Sequence, residues 1–130
     1  MKIQPDRCEG VNIITRHEPF SIWVGQLRFG RSVLVPWQGE VQTWPPERID
    51  QLQAAHFEQV LTLRPELVVF GSGTRHRFIA PALVRCLIEH GIGVEMMDTA
   101  AACRTYNILA GEGRCVLAAL LLDPAPAGAA

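Results

Sequence analysis

The chain has 130 residues, is 48% hydrophobic and carries a net charge of −1. A chain of this length fits one domain that buries about two-thirds of its unfolded surface, and its apolar content excludes global disorder. The near-neutral charge argues against a general nucleic-acid binder, because affinity for phosphates requires a clustered cationic face.

The amino-terminal residues and the cysteines predict a cytoplasmic protein without a membrane span. The start, MKIQPDRCEG, lacks the apolar run of a secretory signal. The longest apolar run, residues 115–122, is far too short to cross a bilayer. None of the four cysteines forms a C-x-x-C pair, and three lie in apolar periodic segments, so we expect buried free thiols in a reducing compartment.

The first part of the chain, residues 10–44, is predicted to form short antiparallel strands. In chain order the candidate strands are NIITRHE, FSIWVGQLRF, SVLV and EVQTW, which are rich in β-branched and aromatic residues. Glycines at short intervals separate them, and connections this short join antiparallel neighbours.

After Pro45 the pattern changes to helices that alternate with strands. Apolar residues from Glu47 to Leu63 fall on one helical face, and two further helices are predicted from Pro81 to His90 and from Asp98 to residue 110. The predicted strands are ELVVF, IGVEMMD and CVLAALLL, the last apolar on both faces. This alternation predicts an α/β domain over residues 1–122 with a largely parallel or mixed sheet, and a flexible tail over 123–130.

The loop after the strand ELVVF is the candidate site for chemistry. Its Gly71-x-Gly73 opens like a dinucleotide-binding fingerprint, but His76 occupies the third glycine position and the next helix begins only near Pro81. The Lys-Ser/Thr of a P-loop is absent too. Neither nucleotide motif is therefore complete, and a solvated turn remains an equal alternative to an anion site.

Polar residues in and near this loop favour a binding site at the edge of the sheet. Ser72, Thr74 and Arg75 follow the carboxyl end of a strand, which is where ligands usually lie in open α/β sheets. Asp98 closes the next strand and is predicted either to cap a helix or to join the site. The histidines have no metal-ligand spacing, and no catalytic triad or paired carboxylates can be placed, so we expect no metal site, no cofactor and no catalytic residue.

Four motifs in the second half resemble a known family. They are a strand ending in Gly-x-Gly, a Gly-x-x-Val-Glu-x-Met strand, Thr-Tyr-Asn on a helix, and Glu-Gly-Arg before the last strand. The matching residues are Gly71, Gly73, Val94, Glu95, Met97, Thr105, Tyr106, Asn107, Glu112, Gly113 and Arg114. Together with SVLVPWQGEVQTW they are similar to the small family of uncharacterised bacterial proteins that includes the mitochondrial respiratory complex I assembly factor 3.

The resemblance implies a three-layer α/β fold with a mixed central sheet and no established enzyme activity. The first functional hypothesis is therefore a non-catalytic interaction or assembly module that binds protein. The alternative is a protein, an enzyme included, that binds a small anion or a nucleotide with the Gly71–Arg77 loop. No presequence is recognised, so we expect a bacterial member of the family.

Tyr106 and Asn107 either extend the predicted site or, together with Glu112 and Arg114, form a polar latch with a purely structural role. Asparagine is a poor residue inside a helix, so the Asn107 amide is expected to bond something specific, and a tyrosine hydroxyl at the core edge needs a partner. The full set of ligand or partner-binding candidates is Gly71, Ser72, Gly73, Thr74, Arg75, Asp98, Tyr106 and Asn107. Glu112 and Arg114 are candidates for a polar latch.

The direction of the last strand decides whether these candidates form one site. A standard crossover makes that strand parallel and places Glu112 and Arg114 opposite the glycine loop. A combined site requires an antiparallel strand, which we expect from the mixed sheet that the resemblance implies.

Overall fold

The computed structural model describes residues 10–124, which form two β-sheets and three α-helices. The first sheet is antiparallel and has three strands in chain order: β1 (Ile14–Glu18), β2 (Ser21–Val24) and β3 (Leu27–Phe29). The second sheet has five strands: β4 (Val33–Val35), β5 (Gln42–Thr43), β6 (Leu67–Gly71), β7 (Gly93–Met97) and β8 (Val116–Leu120). The helices are α1 (Ala54–Thr62), α2 (Arg85–Glu89) and α3 (Thr99–Gly111).

The five-stranded sheet is mixed, with the order β5-β4-β8-β6-β7. The pairs β6–β7 and β6–β8 are parallel, whereas β4–β5 and β4–β8 are antiparallel. The parallel strands alternate with helices along the chain, and the antiparallel strands come from the first half. The predicted α/β fold class is therefore confirmed.

Both faces of the five-stranded sheet are buried. Val69 and Leu120 belong to a core on the α3 side, and this core includes Ile22 of the smaller sheet. Val68 and Phe70 belong to the core on the opposite side, where Phe57 of α1 and Leu87 of α2 lie. Every residue of β8 is buried, as a strand apolar on both parities predicts.

The predicted helix from Glu47 to Leu63 is wrong, because the chain breaks into two pieces. A short 3₁₀ turn covers Ile49–Gln51, and α1 begins only at Ala54. Leu52 between them has an extended backbone and is 7% exposed, since its side chain enters the core that contains Trp44. The apolar spacing continues across the break, so periodicity alone does not reveal it.

The last strand is parallel to β6, and the expectation of an antiparallel strand beside it is wrong. α3 has thirteen residues, about 20 Å of helix, which is enough to carry the chain back to the far end of the sheet. Antiparallel pairing in the mixed sheet comes instead from β4. Glu112 and Arg114, which precede β8, therefore lie at the opposite end of the sheet from the Gly71 loop.

The cysteines differ in their exposure. Cys103 is buried, and burial raises the pKa of its thiol to about 12. Cys86 is half-buried, but Cys115 is exposed, so the expectation that it would be buried is wrong. Cys115 precedes β8 and its N–H group donates to Glu66 at the edge of the fold. Cys8 and most of the predicted tail, residues 125–130, lie outside the described residues.

Within residues 10–124, no helix combines the length and the apolar character needed to traverse a bilayer.

Candidate functional site

The loop that leaves β6, residues 72–80, lies where the carboxyl ends of β6, β7 and β8 meet, and we call it the rim loop. The glycine before this loop, Gly71, and the glycine within it, Gly73, have different roles. A Cβ atom on Gly71 would lie 2.8 Å from the Cα atom of Thr99, so only glycine lets α3 approach β6 this closely. Gly73 has open space around it but a φ of +102°, a backbone conformation that glycine adopts without strain.

Several backbone N–H groups of the rim loop, and its Ser72 hydroxyl, already form hydrogen bonds within the protein. The N–H group of Gly73 donates to the Thr99 hydroxyl at 2.9 Å, and the Ser72 N–H group donates to the Met97 carbonyl at 2.8 Å. The Ser72 hydroxyl donates to the Arg75 carbonyl at 2.5 Å and accepts from the Arg77 N–H group at 3.0 Å. The amides of Ser72, Gly73 and Arg77 are therefore not available as an anion cradle in this conformation.

Thr99 connects the rim loop to two strand ends. Its hydroxyl donates to the Leu121 carbonyl at 2.7 Å while it accepts from Gly73, and its own N–H group donates to the Gly73 carbonyl at 2.8 Å. The Leu121 N–H group in turn donates to Gly71 at 2.9 Å. Thr99 was not among the residues predicted for the site; the signal for its role was a hydroxyl residue directly after a strand that parallels a Gly-x-Gly strand.

Asp98 lies beside the rim loop, as parallel pairing of β6 and β7 requires. Its carboxylate accepts a hydrogen bond from the Ala101 N–H group at 2.8 Å, so it caps α3. The same side chain lines a cleft, so the two roles that the sequence allowed for it are compatible.

Two clefts flank the rim loop. The first has a volume of about 230 Å³ and lies between the β1–β2 turn, the loop and the start of α3. The residues that line it are His17, Glu18, Pro19, Gly73, Thr74, Asp98, Thr99, Ala100 and Leu121. The lining contains the carboxylates of Glu18 and Asp98 and no arginine or lysine, so this cleft is acidic.

The second cleft, of about 280 Å³, is rich in arginine. Its lining residues are Arg48, Ile49, Asp50, Ser72, Thr74, Arg75, Arg77 and Asp123. The Arg48 Nε atom lies 3.6 Å from a carboxylate oxygen of Asp50. Among the ion pairs between residues 10 and 124, none involves Arg75 or Arg77. Thr74 borders both clefts, so the rim loop separates the acidic cleft from one that carries three arginines and two aspartates.

Tyr106 and Asn107 are not brought to the rim loop. They lie about 12 Å further along α3 than Asp98 and bond the first part of the chain. The Asn107 amide donates to the Ile14 carbonyl at 2.7 Å and accepts from the Ile14 N–H group at 2.9 Å, as a neighbouring strand would. The Tyr106 hydroxyl donates to the carbonyls of Asn12 and Pro36 at 2.8 and 3.1 Å.

This network, which we call the α3 junction, consists of Asn12, Pro36, Trp37, Tyr106 and Asn107, and sequence reasoning missed the first three. The Asn12 amide donates to the Pro36 carbonyl at 2.8 Å, and its backbone N–H group donates to the Trp37 carbonyl at 2.8 Å. The Trp37 indole donates to the Ala110 carbonyl of α3 at 3.1 Å. The junction thus fastens α3 to the start of β1 and to the end of β4.

The two latch candidates lie at the other end of the sheet. Arg114 is 3.8 Å from Glu66, and the Glu66 carboxylate also accepts the Cys115 N–H group at 2.9 Å. Glu66, which sequence reasoning missed, thus ties the chain before β6 to the chain before β8. Glu112 ends α3 as its carboxyl-terminal cap. The Arg114–Glu66 pair is exposed and contributes little to stability.

Within the described part of the chain, no cluster of three or more His, Cys, Asp or Glu side chains has the arrangement of a metal site.

Comparisons with known proteins identify a matching family and several relatives. Residues 14–121 match the family described as "Protein of unknown function (DUF498/DUF598)". The Bos taurus protein named NADH dehydrogenase (ubiquinone) 1 alpha subcomplex assembly factor 3 is 32% identical over 92% of this chain and 70% of its own length. The Mus musculus protein of the same name is 36% identical over 77% of this chain and 54% of its own length. This chain therefore spans between about half and about two-thirds of these relatives.

Solved structures share the fold. A crystal structure of a Bordetella parapertussis protein has 40% sequence identity and a TM-score of 0.84, and the match covers 90% of this chain and 100% of that one.

We predict that Thr99→Ala lowers the free energy of unfolding by about 2 to 6 kcal/mol, because it leaves the Gly73 N–H group and the Leu121 carbonyl without partners at about 1 to 3 kcal/mol each. Thr99→Ser keeps the hydroxyl and should lose less than half as much. Urea unfolding followed by circular dichroism measures both variants. Equal losses for the two would contradict the role given to the hydroxyl group.

Tyr106 is the only tyrosine in the chain, which makes its ionisation directly observable. Burial, with a smaller contribution from Cys115, raises the pKa of Tyr106 above its ordinary value of 10.0. The folded state therefore holds this proton where the unfolded state loses it, so stability should fall as the pH rises above about 10. Ultraviolet absorbance should show tyrosinate only as the protein unfolds, whereas chain unfolded in guanidinium should titrate near the ordinary value.

The matched control is Tyr106→Phe, which removes the ionising group. This variant should be less stable at neutral pH, because the Asn12 carbonyl loses its donor and the Pro36 carbonyl keeps only the Asn12 amide. It should also lose the tyrosine contribution to alkaline unfolding. A native chain whose tyrosine titrates near 10 while circular dichroism is unchanged would contradict the burial of Tyr106.

Proposed function

The chain belongs to the DUF498/DUF598 family of proteins of unknown function, and we propose that it is a non-catalytic module that binds other proteins during the assembly of a larger complex. The observation that carries the proposal is the name of its relatives, which are assembly factors of NADH dehydrogenase at 32% and 36% identity. Because the chain covers only part of those proteins, NADH dehydrogenase is the first complex to test rather than an assigned partner.

The hydroxyl groups of Ser72 and Thr99 support a role without catalysis. An activated serine or threonine needs a general base within hydrogen-bonding distance. The Ser72 hydroxyl bonds backbone groups of Arg75 and Arg77, and the Thr99 hydroxyl bonds backbone groups of Gly73 and Leu121. Both hydroxyls therefore serve the backbone, which is the role expected of a scaffold.

We place this role in a reducing compartment such as the cytoplasm. Cys86, Cys103 and Cys115 all carry free thiols, and exposed free thiols such as that of Cys115 are typical of reducing environments.

Binding of a small anion or nucleotide by the Gly71–Arg77 loop is the second candidate function. The favouring observation is the second cleft, which three guanidinium groups line. Two aspartates, Asp50 and Asp123, line it as well and would repel an anion. In addition, several loop amides already have partners within the protein. We therefore rank this function below protein binding.

The assembly role predicts a stable association in the native cell. A tagged chain should recover the same proteins in repeated purifications, and deleting the chain should lower the amount of fully assembled complex on native gels while its subunits are still synthesised. The tag alone is the control. Recovery of the chain without any partner at every salt concentration, together with unchanged complex levels, would contradict the proposal.

A titration with phosphate and with nucleotides, followed by NMR, separates the second candidate from the first. If the loop binds an anion, amides of residues 71–77 should shift in a saturable way at millimolar ligand. Arg75→Ala should abolish the shifts, whereas the matched control Arg104→Ala, which changes an exposed arginine on α3, should keep them. Unmoved loop amides would remove the small-anion function and leave the assembly role standing.

A further inference from the structure

The geometry points to the exposed part of the rim loop as a docking surface: we propose that it binds an acidic, partly apolar segment of a partner protein. The surface consists of Arg75, His76, Arg77 and Phe78, with Arg48 across the second cleft, and we call it the cationic surface. The inference rests on the proposed function, since it names the surface and the chemistry of the partner segment.

Phe78 is the first observation that points to a partner. Its side chain is 77% exposed, more than any other large hydrophobic residue between 10 and 124. The next residue, Ile79, is only 5% exposed, so the loop turns one apolar side chain into the core and leaves its neighbour outside. The centroids of the His76 and Phe78 rings lie 4.7 Å apart, so the two exposed rings are in contact. An aromatic residue presented in this way is typical of an anchor that a partner's pocket covers.

The charges beside Phe78 are the second observation. Arg75 and Arg77 are exposed, and no carboxylate in the described part of the chain pairs with either of them. In a chain with a net charge of −1, such a local excess of cations is not a general property of the surface. A guanidinium group binds a carboxylate through two parallel hydrogen bonds, which makes acidic side chains the complementary partners.

The loop is also held in place before any partner arrives. The Ser72 hydroxyl bonds the backbone of Arg75 and of Arg77, and the Ile79 N–H group donates to the Met96 sulfur at 3.5 Å. The backbone is therefore fixed at Arg75, Arg77 and Ile79. Because the loop is already ordered, binding loses little conformational entropy in this chain, and a short partner segment is enough for binding.

The shape of the cleft favours a protein segment over a lipid bilayer or a nucleic acid. Beside the arginines the cleft is concave and carries the carboxylates of Asp50 and Asp123. A planar anionic bilayer or a phosphate backbone would bring negative charge against both aspartates. A protein segment can place carboxylates at Arg75 and Arg77, a backbone or cationic donor at the aspartates, and an apolar pocket over Phe78.

A selection from random displayed peptides, each about twelve residues long, tests the surface with the full chain as bait. Enriched sequences should combine Asp or Glu with apolar residues, and the synthetic peptides should shift the NMR amide resonances of residues 74–79. The double variant Arg75→Glu/Arg77→Glu should weaken their binding by about tenfold or more, and Phe78→Ala should weaken it by about tenfold.

Matched controls change exposed residues outside the cationic surface. Arg85→Glu/Arg104→Glu reverses two exposed arginines on α2 and α3, and Ile108→Ala removes an apolar side chain that is 63% exposed. These variants should bind the peptides as the natural chain does. The NMR spectrum of every variant reports whether it is folded.

Three results would overturn the inference: no enriched sequences, enriched sequences without an acidic excess, or binding that the double variant leaves unchanged. Vesicles of phosphatidylcholine and phosphatidylglycerol provide a further arm, and binding to them through Phe78 without peptide binding would assign the surface to a bilayer instead. If the double variant still recovers the natural chain's partner from the native cell, the surface is wrong and the assembly role stands. If no partner is recovered although peptides bind, the assembly role fails.

Discussion

The close approach of α3 to β6 is the constraint on which the sheet edge depends. Gly71 has no side chain, so the first residue of α3, Thr99, can lie against the strand. From there the Thr99 hydroxyl and N–H group bond both the rim loop and the segment that follows β8. The exits of two parallel strands and the start of a helix are thus fixed relative to one another, and the two clefts are the spaces that remain on either side of the rim loop.

α3 also joins the two sheets. Its first turn is bonded to the exits of β6 and β8, and Tyr106 and Asn107 in its second half are bonded to the segment before β1 and to the end of β4. Each of these polar groups has a partner, and no buried side-chain nitrogen or oxygen atom between residues 10 and 124 lacks a hydrogen bond. Tyr106 and Asn107, which the sequence suggested as members of a binding site, thus connect α3 to the first part of the chain. The rim loop at the sheet edge, in contrast, carries exposed side chains.

Sequence patterns predicted the element types, the alternation and the α/β class, because each depends on local spacing. They failed where the answer depends on distant residues. The periodic face through Leu52 gave no sign of the break before α1, which the core around Trp44 imposes. The need of Asn107 for a specific bond was visible in the sequence, but its partner Ile14 is 93 residues away. The direction of β8 follows from the length of α3 and not from the mixed character of the sheet. Because β8 is parallel to β6, Glu112 and Arg114 lie at the opposite end of the sheet from the Gly71 loop and cannot form one site with it.

The pairing of Asn107 with Ile14 bears on the order in which the chain can fold as it leaves the ribosome. The amino-terminal meander of β1 to β3 is made first, yet the amide that completes its edge is added only after 93 further residues. Until then the meander has one apolar face without its covering helix, and small isolated sheets are marginally stable in water. A nascent polypeptide of this kind exposes its earliest strands for most of its synthesis, so translation must pass residue 107 before the first-made strands gain protection.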